Sequence, residues 1–197
     1  MIAAVMINMI KMVFMLPGVV RSQVTAVCRC SRFRGSSLES KVDPSKFENY
    51  NYASHPNVIT SMEFERVLSA TGPTLGNVVR FSDHKEPKKI GWLQCIGSRD
   101  LNRCDNFYCS TICCMYAVKE SMIAKEHVHG ELDCAVFNMD MRTFGKDYEK
   151  YYLRARDKDG VRFIKARVHS ILEVPETGDL IIQYADETGK MKEETFS

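Results

Sequence analysis

The sequence lacks the glycine-rich turn by which a strand and its following helix bind a dinucleotide. That turn, Gly-x-Gly-x-x-Gly, lets a pyrophosphate approach the backbone closely. After the strand predicted at Ile90–Cys95, the chain has Gly97 alone, and the next three residues are Ser98, Arg99 and Asp100. The sequence therefore argues against nicotinamide binding at this turn.

The chain also lacks a strong excess of charge. Its formal net charge is +2 over 197 residues, and no basic stripe with interleaved aromatic residues occurs. Both observations argue against nucleic-acid binding. A hydrophobic content of 45% and a charged content of 26% are typical of a globular protein with its own core.

An uninterrupted apolar run is missing as well. Residues 1–20 are long enough to span a membrane, but Asn8 and Lys11 interrupt them near the middle, where polar groups are costly. No basic residue precedes Lys11, as a signal peptide would require. We therefore expect neither export nor a membrane role. Residues 21–41 show no hydrophobic period and are predicted to be loop or disordered.

Cysteine, by contrast, is concentrated in one place. Five of the eight cysteines fall in a single window: Cys95, Cys104, Cys109, Cys113 and Cys114. Disulfide frameworks belong mainly to short secreted chains without a core, so we expect cytoplasmic, reduced thiols or metal ligation. The spacing matches neither the C-x2-C-x2-C run of bacterial ferredoxins nor the paired C-x2-C of zinc ribbons.

The window coincides with a predicted strand-to-helix junction. Ser110 and Thr111 supply hydroxyls where the helix should begin, and Cys113 and Cys114 would occupy its first turn. The helix dipole there favours negative charge and lowers thiol pKa values. Four thiolates at such a junction can hold an iron–sulfur cluster. The alternative is that these cysteines are small buried hydrophobic residues.

Before the cysteine window, the sequence predicts a short helical turn at Asp43–Tyr50 and a brief strand at Pro56–Ile59. Thr60 and Glu63 form a capping-box pattern that opens a helix running to about Ala70. The polar stretch Ser82–Lys89 is predicted to be a linker between domains.

From the linker onward, strands and helices alternate. Helices are predicted at Cys113–His127 and Thr143–Asp159, strands at Cys134–Met139 and Val161–Val168, and a terminal hairpin at Leu180–Tyr184 and Met191–Phe196. Together with Ile90–Cys95, this order predicts an α/β fold with a parallel sheet, a Rossmann-like half. Ligands of such folds lie beyond the carboxyl ends of the strands, where Cys95 is placed.

From about Val42 onward, the sequence resembles the A subunits of the heterodisulfide reductases, a family of FAD and iron–sulfur proteins. The resemblance is carried by seven motifs: Pro56–Arg66, Leu68–Pro73, Lys85–Ile90, Gln94–Asp100, Tyr108–Ala117, Phe137–Asp147 and Gly160–Ile164. It implies a thioredoxin-reductase-like flavoprotein whose second nucleotide domain carries a 4Fe-4S cluster. The four ligands would be Cys95, Cys109, Cys113 and Cys114, with Cys104 and Cys134 as non-ligands.

The resemblance also implies a function. Members pass electrons between FAD and iron–sulfur clusters, which feed partner subunits of the same complex. Hydrogenase or dehydrogenase subunits would be the partners that supply the electrons. Lys119, on the same helix as Cys114, is a further candidate, whose ammonium would stabilise reduced flavin or cluster charge; the alternative is a solvated surface lysine. The alternative function is a zinc-bound or metal-free Rossmann-like interaction domain, and a third possibility is a thiol–disulfide enzyme using Cys109 and Cys113.

The sequence departs from the family at both ends. The upstream FAD fingerprint is absent, so the chain is expected to be a fragment of a longer protein, with FAD binding doubtful for it alone. We divide it into a non-matching, disordered or aberrant segment (1–41), part of an FAD-type domain with its linker (42–86), a cluster-bearing Rossmann-like domain (87–170) and a truncated hairpin returning toward the FAD domain (171–197).

Overall fold

The computed structural model of the chain describes residues 26–29, 50–52 and 54–196. The apolar segment 1–20 and all but the last residue of the predicted turn at Asp43–Tyr50 lie outside these ranges. Within them, no helix is both long enough and apolar enough to cross a membrane.

The central element is a five-stranded parallel sheet. Its strands run in the order β2-β1-β3-β4-β5 and every neighbouring pair is parallel. The bounds are β1 (Ala26–Arg29), β2 (Ile59–Thr60), β3 (Lys89–Ile96), β4 (Asp133–Asn138) and β5 (Arg162–Lys165). The prediction of a parallel sheet in a mixed α/β fold is confirmed. The assignment of 26–29 to loop or disorder was wrong, since β1 pairs with both β2 and β3.

Among the described residues, four helices accompany the sheet: α1 (Ser61–Leu68), α2 (Leu101–Cys104), α3 (Cys113–His127) and α4 (Tyr148–Asp157). The bounds predicted for α3 are confirmed. The predicted capping box of α1 is also present, because the Thr60 N–H donates to Glu63 Oε2 at 2.6 Å and the Glu63 N–H donates to Thr60 Oγ1 at 3.3 Å. This helix ends at Leu68, two residues earlier than predicted.

A second, three-stranded antiparallel sheet contains the predicted hairpin. Its strands are β6 (Arg167–Glu173), β7 (Leu180–Ala185) and β8 (Met191–Phe196), in that order. The single strand predicted at Val161–Val168 was wrong: the chain leaves the first sheet after Lys165 and enters the second at Arg167. Between them, the Ala166 N–H donates to the Asn138 carbonyl at 2.9 Å.

Both faces of the parallel sheet are buried, one under helices and the other under the antiparallel sheet. Trp92 packs in a core with α1 and α3, whereas the next residue, Leu93, packs against the antiparallel sheet, as the period of a strand requires. The two sheets approach closely at Gly91, where a Cβ atom would lie 3.0 Å from Ile182 Cδ1. Helix α1 shares the first core with β3. The division into domains at the linker stays a prediction.

Candidate functional site

The site predicted from the cysteines begins with an irregularity near the end of β3. Val27 pairs with Leu93 but Arg29 pairs with Ile96, so β3 contains one residue more than β1 over this interval. Cys95 lies in this bulge with φ of +61°, in the left-handed region, and only 3% of it is exposed. A bulge redirects a side chain, and a non-glycine residue in this conformation is strained. The fold thus holds Cys95 in an unfavourable local geometry at the carboxyl edge of the sheet.

The loop between β3 and α3 closes on itself. Asp100 and Asn106 exchange backbone hydrogen bonds of 2.6 and 3.1 Å, and Asn106 Nδ2 donates to the Gly97 carbonyl at 3.0 Å. Near the end of the loop, Ser98 Oγ donates to the Tyr108 carbonyl at 2.8 Å. These contacts bring the end of the loop back to its start, which places Cys109 near the end of β3.

Helix α3 begins with the two adjacent cysteines. Cys113 and Cys114 are 4% and 3% exposed and pack together with Met141. The predicted hydroxyl cap was wrong: Ile112 precedes the helix without a side-chain cap, and the Thr111 hydroxyl donates to the Ser110 carbonyl. The first backbone N–H groups of α3 therefore have no side-chain cap.

Three of the four predicted ligands influence one another. A hydrogen bond with Cys113, burial, and the charges of Cys113 and Cys95 raise the pKa of the Cys114 thiol, whereas the backbone N–H of Arg142 opposes that rise. The expectation that the helix start lowers this thiol pKa was wrong for Cys114, because the hydrogen bond with Cys113 and burial raise that pKa.

Cys109 lies on the loop that leads into α3. It is half-buried, and its Sγ accepts a hydrogen bond from the Thr111 N–H at 3.3 Å. In the part of the chain that the structure describes, no three metal-ligating side chains are grouped closely enough to hold a metal ion. The structure brings Cys95, Cys113 and Cys114 to one edge of the sheet, where Cys113 and Cys95 both act on Cys114, and it places Cys109 on the adjoining loop.

Charged residues that sequence reasoning did not assign to the site lie beside the cysteines. Asp140 accepts hydrogen bonds from Arg99 Nη1 and, at 2.9 Å, from Arg142 Nε. Burial alone would raise the pKa of Asp140, but these two hydrogen bonds hold it below its usual range. The only signal in the sequence was that each residue closely follows a predicted strand.

No protein-family model matches the chain, but known proteins do. It is 49% identical over 144 residues to the iron-sulfur A subunit 2 of the CoB--CoM heterodisulfide reductase of Methanopyrus kandleri, an alignment covering 73% of this chain and 22% of that protein. It is 44% identical, with the same coverages, to the A subunit of the H(2)/formate:CoB-CoM heterodisulfide,ferredoxin reductase of Methanococcus maripaludis. The A subunit of the Ferredoxin/F(420)H(2)-dependent CoB-CoM heterodisulfide reductase of Methanosarcina acetivorans is 40% identical over 66% of the chain and 16% of its own length.

Over the matched segment, the chain belongs to the family of heterodisulfide reductase A subunits. The chain spans about a fifth of the length of the first two relatives. The family resemblance inferred from the sequence motifs is confirmed.

Two further residues lie close in sequence to the candidate ligands, Gln94 next to Cys95 and Lys119 on the same helix as Cys114. The side-chain amide of Gln94, which is 5% exposed, has no hydrogen-bond partner for either polar atom among the described residues. Lys119 is half-buried and follows Cys114 by five residues, which places it about 7.5 Å farther along the axis of α3 and about 140° around it. Lys119 therefore occupies a different side of the helix from Cys114.

Proposed function

We propose that this segment is an electron-transfer site in which Cys95, Cys109, Cys113 and Cys114 ligate a 4Fe-4S cluster. The observation that carries the proposal is the convergence of Cys95, Cys113 and Cys114 at the carboxyl edge of the parallel sheet, with Cys109 on the loop that precedes α3. Thiolates are the ligands that such clusters use. When bound, the cluster supplies one-electron redox chemistry at this edge.

The sulfur atoms of two candidate ligands accept backbone hydrogen bonds. The Thr111 N–H points at Cys109 Sγ, and the backbone N–H of Arg142 hydrogen-bonds Cys114. Hydrogen bonds to sulfur stabilise its negative charge and tune a cluster's potential. Ligation by all four cysteines requires the thiols to adjust around the cluster, since no three metal-ligating side chains of the described residues are grouped closely enough to hold a metal ion. Cys109 is half-buried and lies in neither a helix nor a strand, so its loop can accommodate such a movement.

The longer protein proposed here is an iron–sulfur flavoprotein oxidoreductase. Its Rossmann-like, thioredoxin-reductase-like domain would pass electrons between FAD and the cluster toward other heterodisulfide-reductase-type subunits, with hydrogenase or dehydrogenase subunits supplying electrons. Support comes from the alternation β3-α3-β4-α4-β5 in the parallel sheet and from the names of the relatives.

Lys119 is the residue proposed to act on the flavin. A half-buried ammonium stabilises the negative charge of a reduced flavin, so Lys119→Gln should lower the flavin midpoint potential in a preparation of the longer protein with bound FAD. Lys125→Gln, on the same helix, is the matched control, because the Lys125 ammonium instead donates to the Leu132 carbonyl. The same flavin potential in both variants would exclude this role for Lys119.

The proposal is tested by preparing the full chain without oxygen. Iron and acid-labile sulfide should co-purify in equal amounts, and the reduced protein should give an electron paramagnetic resonance signal. Zinc in place of iron, with no such signal, would instead support the interaction-domain alternative. Thiols that pair reversibly on oxidation, without iron, would support a thiol–disulfide enzyme.

A further inference from the structure

The segment that follows β4 lies directly against the paired cysteines of α3. The Asp140 carbonyl is 3.9 Å from Cys114 Sγ, Met141 packs on Cys113 and Cys114, and the Arg142 N–H hydrogen-bonds Cys114. Three consecutive residues thus contact the thiols. Any charge on this segment is held close to the proposed cluster.

The Asp140 carboxylate orients two guanidinium groups. Each oxygen accepts from a different arginine: Oδ1 from Arg99 and Oδ2 from Arg142. Arg99 also hydrogen-bonds the Cys95 thiol, and Arg142 interacts with the charge of Cys109. One carboxylate therefore holds a cation beside each of two candidate ligands.

We propose that Arg99, Asp140 and Arg142 are positioning residues that set the reduction potential of the cluster through one uncompensated positive charge. The inference rests on the proposed function. The Arg99 and Arg142 side chains are only 27% and 34% exposed, so water screens their charges less than it would screen those of fully exposed side chains. Neither arginine needs to ligate the metal for this effect.

The direction of the effect follows from charge. A cubane held by four thiolates is negative, and reduction by one electron makes it more negative. Nearby positive charge favours the reduced form and raises the potential, whereas nearby negative charge lowers it. Removing either arginine should therefore lower the potential, and neutralising Asp140 should raise it.

A purely structural role predicts something different. Asp140 links the loop after β3 to the segment after β4, so it could simply hold the two together. In that case Arg99→Gln, Asp140→Asn and Arg142→Gln would all loosen the site, and their potentials would not move in opposite directions. The sign of the Asp140→Asn shift separates the two roles.

The experiment is a redox titration of the full chain, reconstituted without oxygen from ferrous iron and sulfide. We expect Arg99→Gln and Arg142→Gln to shift the cluster potential downward, Asp140→Asn to shift it upward, and Arg142→Lys to restore it nearly to the wild-type value. Arg156→Gln is the control, because Arg156 lies on α4, where it pairs with Asp157 and Tyr152. Its potential should equal that of the wild type.

Each outcome of the titration either supports or overturns the inference that these charges set the cluster potential. Opposite shifts with iron content unchanged support the inference. Equal potentials in all variants, shifts of one sign only, or loss of iron from all three single variants overturn it and leave the proposed function standing. A wild-type chain that holds no iron overturns both.

Discussion

Replacing Cys113 with serine is expected to reduce iron and sulfide binding by at least ~10-fold, since loss of even an outer-shell partner of a metal ligand typically weakens metal binding by 10–100-fold. Cys113 is buried at the start of α3, in contact with Cys114 and in the same cluster as Met141. A hydroxyl in its place is a much poorer ligand for iron than a thiolate. The measurement is iron and sulfide per chain after oxygen-free reconstitution.

Cys134 provides the matched control for this variant. It is fully buried on β4, its thiol donates to the Ser121 carbonyl at 3.7 Å, and burial raises its pKa to about 12. Because it lies in the core with α3 and not at the sheet edge, Cys134→Ser should retain the iron of the wild-type chain. Equal iron in the Cys113→Ser and wild-type chains, with both folded by circular dichroism, would remove Cys113 from the ligand set.

Glu120→Gln is expected to make the chain more stable than wild type at alkaline pH. Glu120 is 3% exposed; its Oε2 accepts from Trp92 Nε1 at 3.0 Å, and its Oε1 has no partner among the described residues. Burial raises the pKa of this carboxyl well above its ordinary value, although the Trp92 hydrogen bond opposes the rise. Glutamine keeps the acceptor for Trp92 and never needs to ionise.

The sign of the pH dependence follows from proton binding. Because the folded state holds the Glu120 proton more tightly than the unfolded state, wild-type stability falls as pH rises from the ordinary glutamate pKa, about 4.3, through the raised one. The gap in unfolding free energy between Glu120→Gln and wild type should widen with pH by at most about 1.4 kcal/mol per unit.

Urea unfolding followed by the fluorescence of the single tryptophan, Trp92, measures this gap. Glu126→Gln is the control, because Glu126 is exposed on the same helix. Its free energy of unfolding should run parallel to that of the wild type between pH 5 and 8. A constant gap for Glu120→Gln over the same range would show that Glu120 is not buried as a protonated acid.

The elements that the sequence predicted well have strong local signals. In α3, Met115, Val118 and Met122 recur at helical spacing, and β3 is a short, mostly apolar run. The predictions failed where backbone angles or strand pairing, and not a local residue pattern, set the bounds of an element. Helix α4 begins at Tyr148, five residues later than predicted, because Gly145 and Asp147 have φ of +122° and +66° and cannot continue a helix backward. Strand β1 carries no periodic signal and is placed by pairing between β2 and β3.

In the candidate site, too, some residues could be predicted from the sequence and others could not. Cysteine spacing and the family motifs pointed to the thiols, and the structure gathers three of them. The arginines and Asp140 could not be assigned, because Arg99 and Asp140 are 41 residues apart and meet only when β3 and β4 pair. Ion pairs across such separations leave no local pattern in a single sequence. The ligand set itself stays a prediction.

Mass spectrometry of the intact chain under non-denaturing, oxygen-free conditions tests the central claim most directly. A 4Fe-4S cluster held by four thiolates predicts one dominant species heavier than the polypeptide by four iron and four sulfide atoms, roughly 350 Da. Cys113→Ser should remove that species and Cys134→Ser should keep it. A wild-type chain at the bare polypeptide mass, or heavier by a single zinc ion, would contradict the account.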